Sequence, residues 1–292
     1  MRLWTSGLVI FVCVTSMVIG SAFAKAVMIA PAPVHERVAL AESVIVGKVT
    51  KIENKKISLP AAPGSKEKQD FIVAVVHIEE AIKGAKGVTD IKVGYLAPPE
   101  TPAGGGRRIG PGLRRPQINL NEDQDVLLFL KPHHSGEFDM VGAYFDVVDK
   151  KSPEFQKDVD AAKKCTKLLA DPNKSLKSDD ADARLLTAAM LIAKYKTWPG
   201  PEEAKQEPIE AEQSKLLLKA LADADWAVKP QPGPRGNQLA PLNLFFRLGL
   251  TPEDKWNPPQ DFNKTAEAAK TWLKENTDSY RVKRFVAKTK EP

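Results

Sequence analysis

The chain has 292 residues, of which 42% are hydrophobic and 27% are charged, and its formal net charge is +6 at pH 7. This length suffices for roughly two domains of ordinary size, each able to bury a core of its own. The positive excess is milder than the dense basic face that nucleic-acid-binding domains carry, so we expect no nucleic-acid partner.

The first 24 residues have the three parts of a secretory signal peptide. Arg2 supplies a short positive region, the apolar run LVIFVCVTSMVIG follows, and Ala22, Phe23 and Ala24 form the small-x-small pattern of a cleavage site. The sequence therefore predicts export to the periplasm or the extracellular space, with a mature chain that begins at Lys25. A retained N-terminal anchor is the alternative interpretation. No later run reaches eighteen consecutive apolar residues, so we expect no membrane span after the signal.

The next part of the chain predicts a short helix followed by five strands. Val34, Val38 and Ala41 are spaced for one face of a helix. In the second strand, every other residue from Ile72 to Ile78 is apolar, which is typical of a half-buried strand. Stretches rich in Gly, Pro, Asn and Asp separate the strands. The five strand segments are SVIVGKVTKIE, DFIVAVVHIEEAI, VTDIKVGYL, QDVLLFLKP and FDMVGAYFDVV.

Four segments in this region resemble the netrin-like, or tissue-inhibitor-of-metalloproteinase-like, modules of secreted proteins. They are ALAESVIVGKVTKIE, VAVVHIEEAIKGAKG, IKVGYL and EDQDVLLFLKP. The resemblance covers about residues 34–148 and implies a five-stranded antiparallel OB-like β-barrel, which we place in a domain of residues 25–150. In the inhibitor branch of the family the mature N-terminal residue is a cysteine that reaches the protease metal. Lys25 occupies that position here, so the resemblance implies the fold more strongly than the activity.

The remaining residues, 151–292, predict an all-α domain, so the expected fold class is α+β. A serine cap and a proline open the helix SPEFQKDVDAAKKCTKLLAD, and acidic residues at 179, 180 and 182 indicate the start of the next helix. KTWPGPEEAKQEP, residues 196–208, is predicted to be a loop between helices. The helical segments weakly resemble HEAT-like pairs without a fixed repeat. Further helices are expected in EPIEAEQSKLLLKALADADW, LAPLNLFFRLGL and NKTAEAAKTWLKENTDSYRVKRFV.

Cys165 would be the only cysteine of the mature chain, so no intrachain disulfide is expected. It shares a helical face with Phe155, Val159, Ala162 and Leu169, which favours a small buried side chain over an exposed nucleophile. No histidine follows it in the chain that could act as its base.

Little in the sequence points to catalysis or metal binding. The motifs G-x-S-x-G and H-E-x-x-H do not occur. We interpret the histidines as surface residues, because an adjacent pair on an extended strand cannot point the same way. His133, His134 and Glu137 are the place where a metal would bind if one did. No catalytic residue, metal or cofactor is therefore assigned.

GGGRRIGPGLRRP, residues 104–116, is the one stretch built for a charged partner. It lacks the G-K-[ST] ending of a phosphate-binding loop and lies between two strands, which argues against nucleotide binding. Loops of OB-type modules often carry their ligands, so Arg107, Arg108, Arg114 and Arg115 are the candidate partner-binding residues. A plain solvated connection is the alternative for this segment.

Three functions are compatible with these observations. The first is an exported, non-enzymatic protein that docks a protein or cell-surface partner, possibly an acidic one, through its barrel and its helical domain. The second is a secreted enzyme with a carboxylate site that the sequence does not identify. The third is a protease inhibitor that acts through the barrel rim.

Overall fold

The fold mixes helices and strands, as the sequence predicts. A computed structural model describes residues 31–98, 117–200, 203–227 and 238–288. The signal segment and Lys25 lie outside these ranges. The predicted short helix is present as α1, Val34–Leu40. Its C-terminal end is capped by Lys83, whose Nζ donates to the carbonyl oxygen of Val38 at 2.8 Å and to that of Ala41.

In the described part of the chain, seven strands form the main sheet, two more than the sequence predicts. All five expected segments contain a strand. The strand missed by the pattern is the short second one, and the segment predicted as the last strand contains two short strands with a turn between them. The strands are β1 Ser43–Ile52, β2 Ile57–Pro60, β3 Lys68–Lys83, β4 Asp90–Leu96, β5 Asp125–Pro132, β6 Asp139–Val141 and β7 Val147–Asp149.

The sheet is mixed rather than wholly antiparallel. Strand β1 pairs antiparallel with β3 and β5, β3 pairs with β2 and β4, and β5 pairs with β6 and β7. Strand β6 instead runs parallel to β4, with Val93 opposite Asp139. The expected five-stranded antiparallel barrel is therefore not confirmed. Alternation of apolar residues reports which face of a strand is buried, but not the direction of its neighbour.

The alternating residues of β3 do share one face, as predicted. Ala74 and Val76 are buried in the same apolar cluster as Ile72 and Ile78, together with side chains from β1, β4 and β5. This cluster is the core of the sheet.

The second half contains six helices among its described residues, and also a pair of strands. The expectation of an all-α domain is therefore wrong. Strand β8 lies in the segment predicted as a loop, and β9 lies in the segment predicted as the last helix; they pair antiparallel across a long stretch of chain. Such a short, non-local pair leaves almost no periodic signal. The elements are α2 Phe155–Ala170, α3 Pro172–Leu176, α4 Ala181–Lys196, β8 Ala204–Pro208, α5 Ala211–Ala222, α6 Pro241–Arg247, α7 Thr265–Asn276 and β9 Lys283–Ala287.

The two expected helix starts have different outcomes. Helix α4 begins after Asp180, whose carboxylate accepts hydrogen bonds from the backbone N–H groups of Asp182 at 2.9 Å and Ala183 at 3.2 Å. The acidic run is thus a helix cap, as predicted. Helix α2 begins later than predicted, and Ser152 does not cap it. The Ser152 hydroxyl instead accepts a hydrogen bond from the backbone N–H of Glu154 at 3.4 Å, within the turn that precedes α2.

An apolar cluster joins the two halves across residue 150. On one side lie Val38 of α1 and Phe129 of β5; on the other lie Phe155 and Cys165 of α2 and Met190 of α4. Helix α1 packs against both α2 and α4. The two predicted halves, 25–150 and 151–292, therefore share an apolar cluster. Among the described residues, no helix is long and apolar enough to cross a membrane.

Candidate functional site

The four candidate arginines, Arg107, Arg108, Arg114 and Arg115, lie outside the described residues. The chain on either side of them is described. Leu96 ends β4 with 52% of its surface exposed. On the far side, Leu120 is buried in the core of the sheet. The described chain on either side of the arginine segment, residues 104–116, therefore contributes to the main sheet or its core.

A cluster of aromatic rings lies beside the point where β4 ends. Leu96 is paired with Phe71 of β3. The Phe71 ring centre is 5.0 Å from that of His133 and 5.4 Å from that of Phe138. His133 and Phe138 begin and end the connection between β5 and β6, residues 133–138, which we call the aromatic turn. This turn packs on the outer face of the sheet, opposite the core.

Gly94 is what allows the aromatic turn to lie this close to β4. A Cβ atom added at Gly94 would be 2.1 Å from a carbon of the Phe138 ring, a distance no side chain can adopt. The turn itself closes through a hydrogen bond from the backbone N–H of His133 to the Phe138 carbonyl at 2.9 Å. The glycine in β4 and the phenylalanine in the turn therefore form one packing unit.

His133 is buried, which corrects its interpretation as a surface histidine. Only 5% of its surface is exposed. Its Nδ1 accepts from the Ser135 backbone N–H at 3.2 Å and lies 2.8 Å from the Ser135 hydroxyl. Because a backbone N–H can only donate, Nδ1 is unprotonated and the neutral ring carries its proton on Nε2. Burial, and then the neighbouring His134, lower the pKa of His133, while Glu137 acts in the opposite direction.

The two adjacent histidines also contradict the expectation that they point apart. Their ring centres are 4.1 Å apart. This contact is possible because the pair follows the end of β5 in a tight turn rather than continuing an extended strand. No group of three or more His, Cys, Asp or Glu side chains in the described part of the chain is arranged to hold a metal ion.

A shallow depression of about 290 Å³ lies next to the aromatic turn. Its charged side chains are mainly acidic, and burial raises the pKa of one of them, Asp139. Lys92 is the basic member and pairs with Glu53 at 3.3 Å. Such a surface suits a positively charged group better than an anion. The lining residues are Asp90, Ile91, Lys92, Pro132, Gly136, Glu137, Phe138 and Asp139.

A second depression, of about 360 Å³, lies at the seam between α1 and α6. It is lined by the ion pair of Glu36 with Arg247 and by the half-exposed side chain of Phe246. His35 lies beside this ion pair and is buried. Burial lowers its pKa to about 4, and its Nε2 has no hydrogen-bond partner among the described residues. The interpretation of the histidines as surface residues is therefore wrong for His35 as well as for His133, since one histidine before an apolar helical face carries no distinctive signal of burial.

Cys165 is buried with 2% of its surface exposed, which confirms its predicted place on the apolar face of α2. Burial raises the pKa of its thiol to about 11, against a smaller opposing effect of Lys164. At neutral pH the sulfur is therefore protonated and a poor nucleophile.

Lys83 and Gly84, in one of the segments that resemble netrin-like modules, have structural roles in this chain. In the segment that ends EAIKGAKG, Lys83 caps α1, and Gly84 adopts a φ of +60° where an added Cβ would be 2.6 Å from the Glu42 carbonyl oxygen. Glycine is the residue that tolerates this backbone conformation. No protein-family model matches the chain and no curated protein matches it, so the resemblance stays a prediction that rests on these short motifs.

Proposed function

We propose that the chain is an exported, non-enzymatic interaction protein that docks an acidic protein or cell-surface partner. The observation that carries this proposal is the origin of the arginine segment. The segment begins at Gly104, eight residues after the exposed Leu96 that ends β4, and Leu96 is paired with Phe71 beside the aromatic turn. An apolar contact and a basic segment would then meet the partner side by side, which is the usual composition of a docking surface.

We also propose that the main sheet is an OB-type barrel. The order of paired strands supports this, since it runs from β1 through β3, β4, β6 and β5, and β5 pairs again with β1. In OB-type barrels the connections between strands and the adjoining strand faces bind the ligand. The arginine segment and the aromatic turn both belong to such connections.

The charge of the arginine segment favours an acidic partner. Residues 101–120 contain the four arginines and no aspartate or glutamate, so nothing in the segment itself neutralises them. Charges of one sign at an interface mainly accelerate association and make it sensitive to salt. We therefore expect salt to slow binding more than it changes the dissociation rate.

The test compares two variants of the mature full-length chain. One replaces Arg107, Arg108, Arg114 and Arg115 with serine. The matched control replaces four exposed lysines of the helical half with serine and removes the same charge. The control lysines are Lys151, Lys164, Lys167 and Lys174.

Binding is measured against immobilised poly-L-glutamate over a salt series, and in parallel by recovery of partners from the exported fraction of the host. We expect the arginine variant to lose both the poly-L-glutamate signal and the recovered partner, and the lysine variant to keep them. Equal binding by the arginine variant and the native chain would exclude the arginines as contacts. Equal losses in both variants would show that only net charge matters.

A further inference from the structure

We propose that His133 is an acid-sensitive latch that holds the aromatic turn on the outer face of β3 and β4, and that protonation of its ring releases the turn. The released state would expose an apolar surface that is covered at neutral pH. This inference concerns the turn alone and does not depend on the function proposed above.

The surface beneath the turn is a small apolar cluster, separate from the core of the sheet. Phe71, Val73 and Phe138 are its buried members. Ile57 and Leu59 of β2 and Met140 of β6 pack around them. Phe138 belongs to the turn, so displacing the turn removes one of the three buried side chains and uncovers the other two.

His133 connects the turn to this cluster through its ring and its Nδ1 atom. The ring packs between Phe71, with centres 5.0 Å apart, and Phe138, with centres 4.8 Å apart. Nδ1 is the acceptor for the Ser135 N–H. A second proton would occupy Nδ1, so this acceptor would be lost and a charge would be placed between two phenyl rings with little access to water.

The charged neighbours of the ring do not remove this cost. Burial has the largest effect on the pKa of His133 and lowers it. His134, whose ring contacts that of His133, also lowers this pKa, and Glu137 raises it. Both of these groups belong to the turn itself. From β3 the contact is the uncharged ring of Phe71.

The direction of the pH dependence follows from the lowered pKa of His133. The closed turn binds a proton less readily than the open turn, in which His133 has an ordinary pKa of about 6.5. Closure is therefore fully favoured above this pH and weakens as the pH falls below it, towards the lowered pKa of the closed state.

Hydrogen–deuterium exchange of the full-length chain tests the latch, with rates corrected for the intrinsic effect of pH. Between pH 7 and pH 5.5 we expect the amides of residues 133–138 to exchange about fivefold faster than this correction predicts. The buried amides of α4 report global unfolding, which itself responds to acid, so the exchange in the turn should accelerate more than theirs. His133→Phe should abolish the acid response, while the control His134→Gln should keep it.

Two results would overturn the proposal. One is exchange in the turn that is independent of pH in the native chain, or that responds to acid equally in His133→Phe. The other comes from an NMR titration of the native histidine rings, which needs no variant to fold. We expect the midpoint of His133 to lie below the ordinary histidine value of about 6.5, and a midpoint at or above that value would show that the closed turn tolerates the charge.

Discussion

The guanidinium carbon of Arg37 lies 4.4 Å from the centre of the Phe129 ring, and this contact attaches α1 to the main sheet. The same guanidinium donates to the carbonyl of Phe145 at 2.7 Å and to the carboxylate of Asp158 in α2 at 3.0 Å. The side chains of Arg37 and Asp158 are only 7% and 18% exposed. One buried cation thus links α1, the sheet and the helical half.

We expect Arg37→Met to lower the free energy of unfolding by about 3 kcal/mol, because it leaves the Asp158 carboxylate mostly buried without its partner. The double variant Arg37→Met, Asp158→Leu should recover part of this loss, since no unpaired charge remains. Urea denaturation measures both. As a control, Lys157→Ala breaks an exposed ion pair with Glu154 and should change stability little. A loss as small as that of the control would contradict a structural role for Arg37.

His35 should make the protein sensitive to acid. Its pKa falls from an unfolded value near 6.5 to about 4 in the folded chain, so the unfolded state binds the proton more readily. Stability is then fully present above pH 6.5 and is lost as the pH falls towards 4, by about 3 kcal/mol in total. His35→Phe should flatten this part of the curve of unfolding free energy against pH. An unchanged slope in the variant would show that His35 titrates normally.

Asp146 should have the opposite effect. Burial raises its pKa to about 6, against the favourable charge of Arg37, so the folded chain holds this proton more strongly than the unfolded chain. Its charged form destabilises the fold at pH 7, and this cost disappears as the pH falls towards 4. Asp146→Asn keeps an oxygen that can accept from the Ala143 N–H. We expect it to add about 2 kcal/mol at pH 7 and nothing near pH 4 in paired denaturation curves.

Cys165→Ser should lower the free energy of unfolding by roughly 1 to 3 kcal/mol, because it places a hydroxyl in an apolar site. In the native chain the thiol should react slowly with a disulfide reagent at pH 7 and quickly after addition of urea. Thermal melting and the two reaction rates are measured on the same preparation. Fast reaction of the folded protein would contradict the burial of the sulfur.

Export is tested separately from the fold. N-terminal sequencing of the protein recovered from the exported fraction should return Lys25 as the first residue. Recovery of a chain that still begins with Met1, bound to membranes, would favour the retained anchor instead.

The local pattern of the sequence predicts the elements far better than their partners. The spacing of Val34, Val38 and Ala41 predicts α1, and the acidic run predicts the cap at Asp180, because both depend on neighbours within one or two turns. The parallel pairing of β6 and the ribbon of β8 and β9 depend on residues far apart in the chain. No periodic signal encodes such contacts.

The candidate site was predicted only in part for the same reason, because local pattern does not encode contacts between distant residues. Composition alone identifies the arginine segment, since arginine and glycine are concentrated there. The aromatic turn was missed because His133, Phe138, Gly94 and Phe71 come from three separate parts of the chain. A pattern such as HHSGEF indicates a turn, but the strand on which the turn packs becomes visible only in the folded structure.

The cluster shared across residue 150 also constrains the order of folding. The apolar face of α1 packs on α2 and α4, whose residues are synthesised only after the whole main sheet. Contacts between residues so distant in sequence form slowly, because a long loop must close before they stabilise the chain. While they are absent, Val38 and Phe129 remain uncovered and can associate with other chains. A chain that has been synthesised only as far as β7 would therefore aggregate unless a chaperone covers this apolar surface or the helices that follow are synthesised soon afterwards.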